Sequence, residues 1–221
     1  MRMPDKQAAR TEATRRKLLG AAFHEFVRHG FQAGSLTSIA ETARSTKGAL
    51  FHHFASKQLL GYAVVDEVVV PLLTDRWLAP LTTAADPVTT LQHAFRQHVR
   101  ADIESGGWVL GCPTNNLAQE MSPLDEGFRV RLGALYTRWR THVASALTRG
   151  QSAGTVASDV DVSAVAALVV SSQIGIWSTG KHSQDGALMI AAVDAFCSYL
   201  ETLRPPVVRH GPRVVRRAGP A

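Results

Sequence analysis

Apolar positions recur along most of the chain at helical spacing, and strict strand-like alternation is scarce. From Thr11 to His29, Leu18, Ala22 and Phe26 fall four residues apart, with Leu19 and Phe23 beside them. That is one apolar stripe at the 3.6-residue period. Gly30 follows as a stop able to take positive φ. Ser35-Leu-Thr-Ser-Ile-Ala-Glu-Thr-Ala43 predicts a short helix capped by Ser35, with Leu36, Ile39, Ala40 and Ala43 facing inward. After a break at Arg44-Ser45, Thr46 stands ready to cap a second short helix ending near Phe54. Two helices of about two turns with so tight a connection predict a helix-turn-helix.

The rest of the chain continues in the same style. Ser56 opens a long helix to about Trp77, with a bend expected at Pro71. Asp86-Pro87 is a cap followed by proline at the first helical position, and that helix reaches about Ser105 before Gly106-Gly107. A shorter helix is expected from Cys112 to Met121. Ser122-Pro-Leu-Asp125 resembles a capping-box start for a helix to about Arg149, ended by Gly150. Asp161 to Ser178 and Gln184 to Leu203 complete the set. The pattern predicts an all-α protein, with a helix-turn-helix unit over residues 11–61 and a larger helical body over 62–203. Residues 1–10 read as a flexible basic stretch, and the Pro- and Arg-rich segment 204–221 as a disordered basic tail.

Charge divides along the same lines. Residues 1–61 carry 10 Lys/Arg against 4 Asp/Glu, residues 62–203 carry 9 against 14, and residues 204–221 carry 5 arginines and no acid. A basic N-terminal unit on an acidic body is the asymmetry expected when one end faces a polyanion. With 45% hydrophobic residues the chain can bury a core. No apolar run is expected to reach the roughly 18 residues of a membrane span. The first residues lack the apolar stretch of a secretory signal, so the chain reads as cytoplasmic. Cys112 and Cys197 are too few for a disulfide framework or thiolate metal site. No G-x-S-x-G elbow, P-loop, H-E-x-x-H or Cys-x-x-Cys occurs, so no enzyme, cofactor or metal site is expected.

The segment SLTSIAETARSTKGALFHHFASKQLL, from Ser35 to Leu60, closely resembles the helix-turn-helix of the TetR/AcrR family of bacterial one-component regulators. The matching positions include Gly30-Phe31, Ile39-Ala40, Ala43, Lys47-Gly48, Leu50, Phe51, Phe54 and Lys57. The resemblance implies a homodimer on a pseudo-palindromic, double-stranded DNA operator. It also implies a body that binds a small-molecule effector and dimerises, and a repressor released by that effector. An activator using the same DNA module is the alternative. Two departures stand out. Arg44-Ser45 replaces the family's usual Gly-Val, so Ser45 gives up a small core plug worth about 1–2 kcal/mol. Arg44 would sit where positive φ is often needed. Phe51 lacks the hydroxyl that the family's tyrosine offers to phosphate.

A recognition helix enters the major groove by its N-terminal end, with slim residues at the base edges. Thr46, Lys47, Gly48 and Ala49 meet that demand: Ala49 can touch a thymine methyl and Lys47 can reach guanine or phosphate. Ser35, Thr37, His52, His53 and Lys57 resemble family positions that hold the DNA backbone. Ser35 and Thr46 also read simply as caps, and both roles can hold together. His52 and His53, about 100° apart around a helix, are unsuited to share a metal. The resemblance to a GC-x-x-x-NLAxE stretch at Gly111–Glu120 implies a second alternative, an electrophile or redox sensor. In it Cys112, near a helix N-terminus, would have a lowered thiol pKa. Candidate effector-pocket walls are Phe95, His98, Trp108, Leu110, Cys112, Met121, Phe128, Leu135, Tyr136, Trp139 and Trp177; the competing reading for these residues is ordinary core packing.

Overall fold

A computed structural model describes residues 6–206, which form helices and connecting turns. Helix α1 spans Lys6–His29, α2 Leu36–Thr42, α3 Lys47–His53 and α4 Lys57–Val64. α1 begins at Lys6, so residues 6–10, expected to be flexible, are helical; nothing in Gln7-Ala-Ala-Arg10 opposes a helix. Leu18, Ala22, Phe26, Ile39, Leu50 and Leu60 form the small core that α1, α2, α3 and α4 share.

From Lys57 the chain runs on as a helical rod to Thr82. α4 is followed by a π-helical segment (Val65–Val69), α5 (Val70–Leu73), a second π segment (Thr74–Leu78) and α6 (Ala79–Thr82). The bend expected at Pro71 thus becomes two widened turns flanking it. Prolines cause them: Pro71 and Pro80 have no N–H to give to the fourth carbonyl back. For Pro80 that carbonyl belongs to Arg76, and His98 Nε2 lies 2.9 Å from its oxygen. The imidazole N–H therefore supplies the hydrogen bond that proline cannot, which fixes the tautomer.

α7 (Pro87–Ser105) is capped by Asp86, whose carboxylate accepts from the Val88 and Thr89 amides. A single 3₁₀ turn (Gly107–Leu110) leads to α8 (Pro113–Met121). α9 (Glu126–Ala153) starts at Asp125 rather than Ser122, because the Leu124 and Asp125 amides still turn back to the Met121 carbonyl. It passes through Gly150, expected to stop it. A Cβ there would come within 2.8 Å of Val156 and Pro87, so that glycine serves packing, and Gly154 at φ 73° ends the helix. α10 (Val162–Ser183) and α11 (Gly186–Glu201) close the fold, α10 against α9 and α11 against α7.

α10 corrects one expectation: it is 22 residues long and contains an 18-residue window of mean hydropathy 1.5, apolar enough to cross a membrane by length and composition. Its inner side is core (Val165, Val169, Ile176, Trp177), while its outer side stays apolar, with Ala164, Ala167, Leu168 and Gly175. The expected tail also shortens. Arg204 lies 2.8 Å from Asp86 and 2.7 Å from Glu201, fastening the end of the last helix to the start of α7. The tail from residue 207 lies outside the described residues, as does the start of the N-terminal stretch.

Candidate nucleic-acid interface and buried cavity

The exposed edge of the helix-turn-helix is built by caps. The Ser35 hydroxyl oxygen accepts from the Ser38 amide at 3.3 Å, and Thr46 Oγ1 accepts from the Ala49 amide at 3.1 Å. Each hydroxyl keeps its own proton free to donate outward, so capping and phosphate contact are compatible. Glu25, from α1, sets the position of α2: its carboxylate takes the Ser35 amide and the Ser38 hydroxyl, each at 2.8 Å. Burial pushes the Glu25 carboxyl up, but these two donors prevail and hold it below the usual range. Because the folded value is depressed, that stabilisation is full above about pH 4.5 and fades as the pH falls below it.

α3 presents Lys47, Gly48, Phe51 and His52 outward while Leu50 plugs the core, and Thr37 lies exposed on α2. Arg44, between the helices, takes the left-handed conformation at φ 52°, a strained choice for a side chain with a Cβ. Ser45 is half-buried, its amide turned back to the Ala40 carbonyl at 2.8 Å. Two basic groups are more committed than the sequence suggests. Lys57 Nζ donates to the Gln32 carbonyl at 2.9 Å and lies over the Phe31 ring, so it braces the α1–α2 turn. Arg15 pairs with Glu67 and stacks on Phe54. His53 is half-buried, and burial, with the neighbouring His52 and Arg15, lowers its pKa.

A second feature lies between this unit and the body. A partly open cavity of about 250 Å³ is lined by α1 (Phe23, His24, Val27), by the rod (Leu72, Leu73, Arg76, Trp77) and by Gly107 and the stretch from Leu110 to Thr114. Asp102, Trp139, Gln173 and Trp177 complete it. Its walls are mainly apolar, with Arg76 Nη2 held 2.5 Å from Asp102 Oδ2. The same carboxylate oxygen accepts from Trp177 Nε1 at 2.6 Å.

Of the expected pocket walls, Leu110, Cys112, Trp139 and Trp177 line this space; Phe95, His98, Trp108, Met121, Phe128, Leu135 and Tyr136 do not. Phe95 stands behind Trp77 and Phe196 in the aromatic core. His98 is spent on the Arg76 carbonyl. Trp108 packs partly exposed outside the cavity, while Met121 and Leu135 are ordinary core. Tyr136 is stacked against Trp139 with its hydroxyl buried. Phe128 lies between Phe31 and Tyr62, at ring distances of 4.8 and 5.1 Å. It therefore joins the two units instead of lining a pocket. Helical spacing marks inward faces but cannot separate a cavity wall from the residue behind it.

Cys112 overturns a chemical expectation. The thiol is buried at the start of α8, and burial pushes its pKa up despite hydrogen bonds from Asn115, Gln173 and Thr114. Desolvation of the thiolate outweighs the helix terminus. Cys112 in the folded protein is expected to resist iodoacetamide and to label after unfolding in urea; rapid labelling of the native chain would contradict this placement.

Sequence reasoning missed Glu120. It stands near the end of α8, and its two carboxylate oxygens accept the Phe31 and Gln32 amides, each at 2.8 Å. A Cβ at Gly30, where φ is 82°, would touch that carboxylate at 3.0 Å. The start of α8 thus borders the cavity while its end grips the turn between α1 and α2.

A three-helix unit with an exposed, capped recognition helix on a helical body defines a DNA-binding regulator. The comparisons agree. The model for bacterial regulatory proteins of the tetR family matches residues 18–61, and that for the tetracyclin repressor-like C-terminal domain matches residues 87–196. The chain is 26% identical over 151 residues to the transcriptional regulator AcuR of Cereibacter sphaeroides, covering 67% of this chain and 68% of AcuR. It is 25% identical over 161 residues to the HTH-type transcriptional repressor DhaR of a Mycobacterium species, covering 73% of this chain and 79% of DhaR. A TetR transcriptional regulator of Chloroflexus aurantiacus has the same fold, with a TM-score of 0.77 at 21% identity over 89% of this chain and 98% of that one. The chain belongs to the TetR/AcrR family of transcription regulators, which are DNA-binding proteins and not enzymes.

Proposed function

We propose that this regulator is a cytoplasmic repressor that binds a pseudo-palindromic operator as a homodimer and is released when a small molecule fills the cavity between α1 and the body. Residues 11–61 serve DNA binding, and residues 62–203 serve effector binding and dimerisation. The observation that carries this reading is the cavity's composition: Phe23, His24 and Val27 of α1 form one wall, and Trp139, Gln173 and Trp177 of the body form the opposite one. A ligand there touches both units at once. It can therefore favour one arrangement of α1 over another, which differential affinity requires.

On the DNA side, Thr46, Lys47, Gly48 and Ala49 face base edges, while Ser35, Thr37, His52, His53 and Lys57 set the register on phosphates. Phe51, 48% exposed on α3, adds an apolar contact to a thymine methyl or a sugar. The dimer forms through α10 and α11. Leu168, Leu188 and Ile190 are 42%, 44% and 40% exposed, and small apolar residues surround them. Exposed apolar side chains of this kind suit the four-helix contact of a two-fold pair. Leu188→Arg is expected to convert the dimer to monomer in sedimentation analysis; an unchanged mass would contradict the assigned face.

The test of the function is footprinting of the purified protein on the DNA upstream of its own gene, followed by a screen of small molecules for loss of the footprint. A protected palindrome erased by a cavity-binding compound is the expected result. A footprint that such a compound strengthens or leaves intact would overturn release.

A further inference from the structure

We propose that the cavity selects an uncharged, largely aromatic molecule that carries one hydrogen-bond acceptor, for Arg76, and one donor, for Gln173. This rests on the reading of the cavity as the effector site. Among the described residues four buried side-chain polar atoms lack a partner, and the ligand class follows from the two that belong to cavity-lining residues. Gln173 is 3% exposed, its side-chain nitrogen end lies by the Cys112 sulfur, and its Oε1 is buried with no partner. Arg76 Nε is likewise buried without a partner. Buried polar atoms in native proteins are nearly always satisfied, so unpaired ones on a cavity wall point to what the cavity takes. Oε1 can only accept and Nε–H can only donate, which specifies a ligand with both functions.

Charge narrows the class. The Arg76 guanidinium is already matched by Asp102, held in turn by Trp177. An anion entering this site would meet a neutralised arginine, a carboxylate and the Gln173 oxygen. A cation would meet the guanidinium. Either would lose its hydration with no full countercharge in return. His24 lies at the exposed α1 edge, where water screens it. The remaining walls, with Trp77, Trp139 and Leu73 among them, favour an apolar ring. At about 250 Å³ the cavity lies just below the roughly 300–1,000 Å³ of pockets that take drug-sized molecules, so the ligand is a small one- or two-ring compound.

Three probes of matched shape test the class by calorimetry on the full chain: 2-naphthamide, 2-naphthoate and naphthalene. The amide is expected to bind at least tenfold tighter than either of the others. Gln173→Leu should abolish that preference while leaving naphthalene binding within about twofold. Arg76→Lys, which keeps a cation opposite Asp102 but removes Nε–H, should also reduce it. The class is overturned if naphthoate binds as tightly as the amide, if neither variant changes the ratio, or if none of the three binds. Operator release is read separately. Amide binding without release overturns the effector reading and leaves the ligand class standing, and release by naphthoate but not the amide does the reverse.

Discussion

Glu120→Ala is expected to lower stability by about 2–3 kcal/mol and to weaken the coupling between the cavity and the DNA-binding unit. Two backbone amides, of Phe31 and Gln32, lose a carboxylate acceptor at once. A hydrogen bond to a charged group contributes about 1.5–3 kcal/mol, and partial exposure of this site puts the pair toward the lower end. The loss should appear as a lower midpoint in urea and as faster amide exchange at Phe31 and Gln32. A purely structural role would stop there. Because α8 borders the cavity at one end and carries Glu120 near the other, the variant should also lose a measurable part of the roughly 1–3 kcal/mol by which an effector shifts operator affinity, the direct contact with α1 keeping the rest. Glu120→Gln, with one acceptor oxygen left, should recover part of both effects. Full effector response in the alanine variant, at a protein concentration where it is folded, would show that coupling runs elsewhere.

The larger loss is expected for Phe128→Ala, about 3–5 kcal/mol. The ring is fully buried against Phe31 and Tyr62, and a Cβ on Gly61 of α4 would come within 2.6 Å of both Phe31 and Phe128. So close an approach leaves a cavity that neighbours cannot readily fill. The variant also separates two assignments of this residue. As a junction residue, its truncation should lower the midpoint of denaturant unfolding and leave affinity for a cavity ligand within about twofold. If affinity fell more than tenfold while stability held, Phe128 would be a cavity wall after all.

Much of the fold was legible because its signals are local. Ser35, Thr46, Asp86 and Asp161 each cap the helix that the pattern assigned to them. The apolar stripe of α1 and the inward residues of α2 and α3 followed from the 3.6-residue period. Boundaries failed where tertiary contact decided. Gly150 reads as a stop, yet close contact with Pro87 and Val156 keeps it inside a helix. Arg204 reads as tail, yet partners more than a hundred residues away fix it.

The candidate site was legible in part. The cap at Thr46 and the core plug Leu50 of α3 followed from spacing, while the proposed backbone contacts rest on the family resemblance. The cavity has no such local signal. Arg76 and Asp102 come together across 26 residues of chain, and Glu120 reaches back 89 residues to Phe31. Nothing in a helical period marks those meetings. A cysteine beside a helix start suggested reactivity, but only the packing around it reveals the desolvation that raises its pKa.

The most direct measurement is a binding titration of the wild-type protein and Lys47→Ala against the footprinted operator and a scrambled duplex at two salt concentrations. Lys47 lies exposed at the leading end of α3. Its removal is predicted to lower operator affinity by about 1–3 kcal/mol, roughly 5- to 150-fold, at both salt concentrations. Operator affinity unchanged at both would contradict the assignment of α3 as the helix that meets DNA.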